Sequence, residues 1–264
     1  MSNLRVGIVG ATGRMGTEIA AGLDADSGYE LAFGISRTNG PAHPTVPLLP
    51  MFTDLSDALV AHPIDALLDL SHREVAVQNA LTAAKQRVPS VIGATGLAQA
   101  DLDRLAEIAA ENQVAVLYIP NFAIGAVLMM KFSELAAQWL PDAEIIEMHH
   151  ERKEDAPSGT AMLTAELIQR GRTQAPMPLP KPFLKAEGAR GATVAEVPVH
   201  SVRLPGMLAH QQVIFGGLGE TLTLRHDSLS RSSFLAGVKL CCQAAQTRTG
   251  LTVGLDQILF PSAS

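Results

Sequence analysis

Residues 4–23 fix the fold class more firmly than any other stretch. Leu4-Arg-Val-Gly-Ile-Val9 is a short apolar run, Gly10-Ala11-Thr12-Gly13-Arg14-Met15-Gly16 is a glycine-rich turn, and residues 17–23 continue with helical spacing. Strand, turn and helix in that order are the setting of a dinucleotide fingerprint. Its glycines let the backbone approach a pyrophosphate, and the helix N-terminus offers partial positive charge. The spacing departs from G-x-G-x-x-G, since Thr12 takes the place of the middle glycine and Gly13 follows it. The alternative is a tight strand–helix turn that binds nothing. Cofactor binding by Gly10, Ala11, Thr12, Gly13, Arg14, Met15 and Gly16 is the expectation.

The alternation of strand and helix continues. Residues 30–35 read as a strand ending at Ser36, Arg37 and Thr38. A carboxylate for the ribose 2′-OH belongs about 20 residues after such a fingerprint. Ser36 stands there instead, with Arg37 beside it. A hydroxyl and a guanidinium accept a 2′-phosphate that a carboxylate would repel, which favours NADPH and leaves NADH as the second choice. Arg37 as an ordinary solvated loop charge is the competing reading. After a proline-broken connection from Pro41 to Pro50, residues 65–70 form a strand pattern, 75–87 a helix, 90–96 a strand with a glycine-rich end, 102–112 a helix and 114–119 a strand. This βα alternation predicts a doubly wound, Rossmann-like parallel sheet. Ligands of such sheets sit beyond the C-terminal strand ends, where Gly93, Ala94, Thr95, Asn121 and Phe122 fall. Plain connecting loops are the alternative there. A helix over 125–139 is the candidate crossover to a second domain.

At 264 residues the chain has room for one large domain or two small ones, and its net charge of −6 argues against nucleic acid as a main partner. Cys241 and Cys242 are neighbours, poorly placed to bridge each other, and read as small apolar residues in a reducing compartment. Residues 1–5 run straight into a strand pattern, without a signal peptide, and no apolar run reaches about 18 residues. A cytoplasmic protein with no membrane span is expected.

The second half carries the chemistry. Residues 144–149 read as a strand, in which His149 shares a face with Glu147 and His150 points the other way. Lys153 follows three residues later, and Ser158-Gly159-Thr160 reads as the mouth of a helix, where unsatisfied N–H groups attract an anion. Two imidazoles and an ammonium beside such a mouth suit an anionic substrate that has to be protonated. Glu147, His149 and His150 as zinc ligands fit poorly, because there is no H-E-x-x-H spacing and no cysteine nearby, so no metal is expected. A purely structural histidine pair is the other alternative. His200, His210 and His226 read as surface or supporting residues, and Arg231 as a candidate substrate contact. Residues 172–191, with four prolines between 176 and 182, form a loop. Residues 193–204, 211–215 and 220–227 read as strands, 211–215 as an edge, and 230–247 returns to a helical pattern. The second region is thus α+β.

Glu147-x-His149-His150-x-x-Lys153-x-Asp155-Ala156-Pro157-Ser158-Gly159-Thr160-Ala161 closely resembles the signature of the 4-hydroxy-tetrahydrodipicolinate reductase (dihydrodipicolinate reductase) family. The resemblance extends through residues 10–16, 93–96, 121–122 and 225–231, nearly the whole chain. It implies NAD(P)H-dependent reduction of a cyclic imine dicarboxylate in diaminopimelate and lysine synthesis. His149 and Lys153 then share protonation of the substrate, and His150, Ser158, Gly159 and Thr160 bind it. Gly93, Thr95, Asn121 and Phe122 surround the nicotinamide and its ribose. The resemblance also implies a dinucleotide-binding domain over 1–122, rejoined by 232–264, and a substrate-binding and oligomerisation domain over 123–231 that forms a homotetramer. Ser36 and His72 depart from the family pattern, which often has Glu and Arg there. Another two-domain amino-acid dehydrogenase, or a non-catalytic dinucleotide sensor, are the alternatives in function.

Overall fold

The computed structural model describes residues 3–37, 42–178 and 183–261. Thr38 at the end of the second strand, and Pro41, Pro180 and Pro182 of the proline-broken connections, lie outside them. The chain divides into two compact units, Met1–Ile124 with Arg231–Ser264, and Gly125–Ser230.

Along the chain come β1 (Leu4–Val9), α1 (Arg14–Asp24), β2 (Tyr29–Ile35), β3 (Met51–Phe52), α2 (Leu55–Ala61), β4 (Ala66–Asp69), α3 (Arg73–Lys85), β5 (Ser90–Ile92), α4 (Gln99–Asn112) and β6 (Ala115–Tyr118). The second unit follows with α5 (Ile124–Ala136), β7 (Asp142–His149), α6 (Gly159–Gly171), β8 (Ala192–Val194), β9 (Val197–Arg203), β10 (Ala209–Gly217) and β11 (Glu220–Ser228). A 3-10 turn over Arg231–Phe234, α7 (Leu235–Ala244), β12 (Gly250–Val253) and α8 (Asp256–Leu259) return to the first unit.

The first sheet has the order β12-β6-β5-β4-β1-β2-β3, and every pairing in it is parallel. Helices on both faces explain why β4, β5 and β6 are buried along their whole length and read as continuous apolar runs. From β1 the chain winds outward through β2 and β3, then resumes on the other side at β4. Strand order reverses between β1 and β4, so a crevice opens at their C-terminal ends. β3, α2 and β12 were not apparent from the sequence. The first two are short and follow the proline-broken connection.

The second sheet is mixed, in the order β11-β10-β7-β9-β8, with β7 and β9 parallel and the other neighbours antiparallel. Two expectations are corrected here. Residues 211–215 are not an edge: they belong to β10, which is paired on both sides, and the edges are β11 and β8. Residues 193–204 are not one strand, because Ala195 and Glu196 take positive φ values of 44° and 60° and fold β8 back onto β9. One face of this sheet buries Ile145, Glu147, Val199, Val213 and Phe215, and α6 packs on it. The opposite face presents Glu144, Ile146, Met148, His200 and Ile214 by the alternation of side chains. No helix among the described residues is long and apolar enough to cross a membrane.

Candidate active site: a dinucleotide cleft and a proton-donor cluster

A cleft of about 810 Å³ lies beyond the ends of β1, β2 and β4. Gly10, Thr12, Gly13, Arg14, Met15 and Gly16 line it, with Ser36 and Arg37 from the end of β2. Gly10 turns the chain with φ +73°, and a Cβ at Gly16 would meet the Gly10 carbonyl oxygen at 2.1 Å. Both positions therefore require glycine. The N-cap of α1 is Gly13, which has no side chain to cap it, and the first turn carries no acidic residue. A helix N-terminus left open by its own N-cap residue and facing a cleft suits a pyrophosphate, so the residues present fit a dinucleotide.

Ala11 is fully buried behind the loop, where its N–H donates to Ile35 O (3.2 Å) and its carbonyl accepts from His43 Nε2 (2.9 Å). Val46 N donates to His43 Nδ1 (3.2 Å), which leaves the hydrogen on Nε2. His43 thus braces the glycine loop, a role no local motif announced. Behind the cleft, buried Asp69 accepts from Ser71 N, Ser71 Oγ and Asn79 Nδ2, and burial pushes its carboxyl above the ordinary value. His72 and Arg231 line this cleft as well. Gly93, Ala94, Thr95, Asn121 and Phe122 lie apart from its lining. A Cβ at Gly93 would meet the Phe122 ring at 2.6 Å, Asn121 Oδ1 accepts from Ala123 N (2.9 Å), and Thr95 is exposed.

The second cluster lies wholly in the second unit. β7 delivers Glu147 and His149 to one face, and the Glu147 carboxylate contacts His149 Nδ1 at 2.5 Å. Glu147 is fully buried. Arg203, at the end of β9, grips it with two bonds, Nη1 to Oε2 (3.1 Å) and Nη2 to Oε1 (2.9 Å). Burial alone would push the Glu147 carboxyl up. Hydrogen bonds from His149, Arg203 and Ser201 outweigh it and hold the carboxyl at about 2, against an ordinary 4.5. An ionised carboxylate only accepts, so His149 Nδ1 carries a hydrogen and donates it. Nε2 is the nitrogen left to hold or release a proton.

His150 Nδ1 is buried and has no hydrogen-bond partner among the described residues. Lys153 Nζ donates to both oxygens of exposed Asp155 (2.7 and 2.9 Å). Ser158 caps α6, its Oγ accepting from Ala161 N (3.2 Å) while its carbonyl accepts from Met162 N (3.0 Å). The amides of Gly159 and Thr160 then stand at the mouth, and a Cβ on Gly159 would point into open space. His149, His150, Lys153 and the Ser158–Thr160 turn thus belong to one short segment, and Arg203 is the partner that sequence reasoning missed.

The Glu147 shift carries a pH signature. Because the folded carboxyl sits below its unfolded value, its stabilisation is complete above about pH 4.5 and is lost as pH falls towards 2. It amounts to about 3 kcal/mol. Urea unfolding followed between pH 6 and 2.5 should show a decline that Glu147→Gln removes.

Fold and clusters together define a two-unit, dinucleotide-dependent oxidoreductase. Residues 4–122 match the family model described as "Dihydrodipicolinate reductase, N-terminus", and residues 125–259 match "Dihydrodipicolinate reductase, C-terminus". A 4-hydroxy-tetrahydrodipicolinate reductase of Bacillus cereus is 43% identical over 265 residues, spanning 98% of this chain and 100% of the relative. A dihydrodipicolinate reductase from Paenisporosarcina sp. TG-14, solved with dipicolinate bound, superposes with a TM-score of 0.88 at 40% identity, covering 97% of this chain and 100% of that one. An amine dehydrogenase from Mycobacterium smegmatis, 12% identical with a TM-score of 0.68 over 97% of this chain and 96% of its own, shares the fold alone. The chain belongs to the dihydrodipicolinate reductase family.

Proposed function

We propose that this chain reduces 4-hydroxy-tetrahydrodipicolinate to tetrahydrodipicolinate with NAD(P)H, in diaminopimelate and lysine synthesis. The observation that carries the reading is the gathering of a carboxylate-held imidazole, a lysine and a capped helix mouth in one unit, in a chain whose other unit has a dinucleotide cleft. The reduced nicotinamide supplies the hydride. The mouth of α6 at Ser158, Gly159 and Thr160 holds a substrate carboxylate, and the orphaned His150 Nδ1 takes a further polar group of the substrate. His149 presents Nε2 as the proton-holding nitrogen, and Lys153 exchanges Asp155 for the substrate, so the two share delivery of the proton. Gly93, Thr95, Asn121 and Phe122 surround the nicotinamide end of the cofactor. The deciding experiment is an assay in which the chain oxidises NADPH with 4-hydroxy-tetrahydrodipicolinate as substrate. Turnover of aspartate or homoserine instead, or none of any substrate, would refute the reading.

NADPH is the preferred cofactor in this proposal. Ser36 and Arg37 line the cleft, and Asp54, the carboxylate across it, is engaged in capping α2 through Asp57 N (3.0 Å). Arg37→Ala should weaken NADPH by about 10-fold or more and leave NADH unchanged, the loss of one charge-assisted bond. Fluorescence titration of both cofactors measures it, and equal losses would remove Arg37 from the 2′-phosphate site.

The chain works in the cytoplasm in this reading, consistent with Cys241 and Cys242 as free, buried thiols, the second pushed up to about 12 by burial. It assembles as a homotetramer. The face of the second sheet away from α6, with half-buried Ile146, Met148 and Ile214, is the surface between copies.

A further inference from the structure

Arg203 stands where two otherwise separate parts of the site meet. A guanidinium has five N–H donors in a fixed fork, and here each finds an acceptor. Nη1 donates to Glu147 Oε2 (3.1 Å) and Val202 O (2.8 Å), and Nη2 donates to Glu147 Oε1 (2.9 Å) and Asp155 O (2.6 Å). Nε donates to Lys153 O (3.3 Å). The Glu147 bonds reach His149 through the carboxylate that holds its ring, and the Lys153 and Asp155 bonds clamp the turn that carries Lys153. Among the described residues, the turn is also held by Lys153 N donating to His150 O (3.1 Å) and by the Lys153–Asp155 pair. The parallel register that sets His149 opposite Arg203 places the fork.

We infer that Arg203 is the positioning residue of the reductase, holding the His149 ring and the Lys153 turn in one fixed relation. The inference rests on the reading that His149 and Lys153 deliver the proton. All five N–H donors of Arg203 are engaged by protein acceptors, which assigns it to holding its neighbours rather than to contacting the substrate. A lysine at this position supplies the charge but not the fork, since its donors radiate from one nitrogen and cannot span Glu147 and two carbonyls.

The test compares Arg203→Lys, Arg203→Ala and Glu147→Gln with the unaltered chain, with folding checked by circular dichroism and by NADPH affinity. Arg203→Lys should lower kcat about 100-fold, as a displacement of about 1 Å does, with a much smaller change in KM and unchanged NADPH binding. Added guanidinium should restore part of the kcat lost in Arg203→Ala. A kcat per folded molecule equal to that of the unaltered chain, with only the unfolding temperature lowered, would reduce Arg203 to a structural residue and overturn the inference. Should both Arg203 variants fail to fold, Glu147→Gln reads the same link, and undiminished kcat in it overturns the proposal equally. His149→Asn and Lys153→Met run in parallel. Losses in those two but none in Arg203→Lys defeat this inference alone, whereas full turnover in both defeats the assignment of the proton donors and this inference with it.

Discussion

His149→Asn should lower kcat by about 10²–10⁴-fold, the range general acid catalysis contributes, and leave NADPH affinity unchanged. Asparagine is the informative replacement because its amide can still donate to the Glu147 carboxylate from near the Nδ1 position. Only Nε2 is lost. Glu147 stays ionised down to about pH 2, so it cannot act as the acid in its place. Lys153→Met keeps the aliphatic stem and removes the ammonium, and its loss should be of the same order if the two residues share the proton. A large loss in one variant and a small loss in the other would assign delivery to a single residue. Single-turnover measurement of NADPH oxidation separates this from effects on product release.

The reason the pair was legible in the sequence is the two-residue period of a strand. Glu147 and His149 had to share a face, and the alternation along β7 puts both on the side that α6 covers. Ser158 was legible for a different reason: a hydroxyl ahead of an apolar-periodic stretch is a helix start, and its Oγ does accept from Ala161 N. The glycine turn after β1 was equally plain. Its inner brace was not, since nothing in the string around His43 indicates that its ring reaches the Ala11 carbonyl.

Arg203 was hidden because its partners are remote in sequence. Its bond to Glu147 spans 56 residues and depends on β9 lying parallel to β7, a pairing that hydrophobic pattern does not specify. The hairpin ahead of it was hidden by composition. Hairpin turns of two residues usually announce themselves with Asn-Gly or Gly-rich pairs, whereas Ala195-Glu196 reads as a continuation of the strand. The same limit explains β10. Its alternation marks a strand with one buried face, but says nothing of neighbours on both sides.

Gly16→Ala should weaken dinucleotide binding by about 100-fold and lower the unfolding temperature of the chain. The added Cβ would lie 2.1 Å from the Gly10 oxygen and 2.8 Å from the Ala11 oxygen, both backbone atoms. Neither can rotate away, so the loop or the start of α1 must shift. A shift of α1 moves the N–H groups of Arg14, Met15 and Gly16 together, and losing two or three such bonds to a phosphate costs about 3 kcal/mol, hence the 100-fold. Moving the loop instead would strain Gly10 at φ +73° and pull Ala11 from His43 Nε2. Gly28→Ala provides the control, since Gly28 is exposed, a Cβ there meets only the Asp26 side-chain oxygen at 3.3 Å, and the position has no positive φ. Titration of NADPH against both variants decides the matter. Equal affinities would show that the loop accommodates a methyl group, and that the close approach of α1 to β1 is not what shapes the cleft.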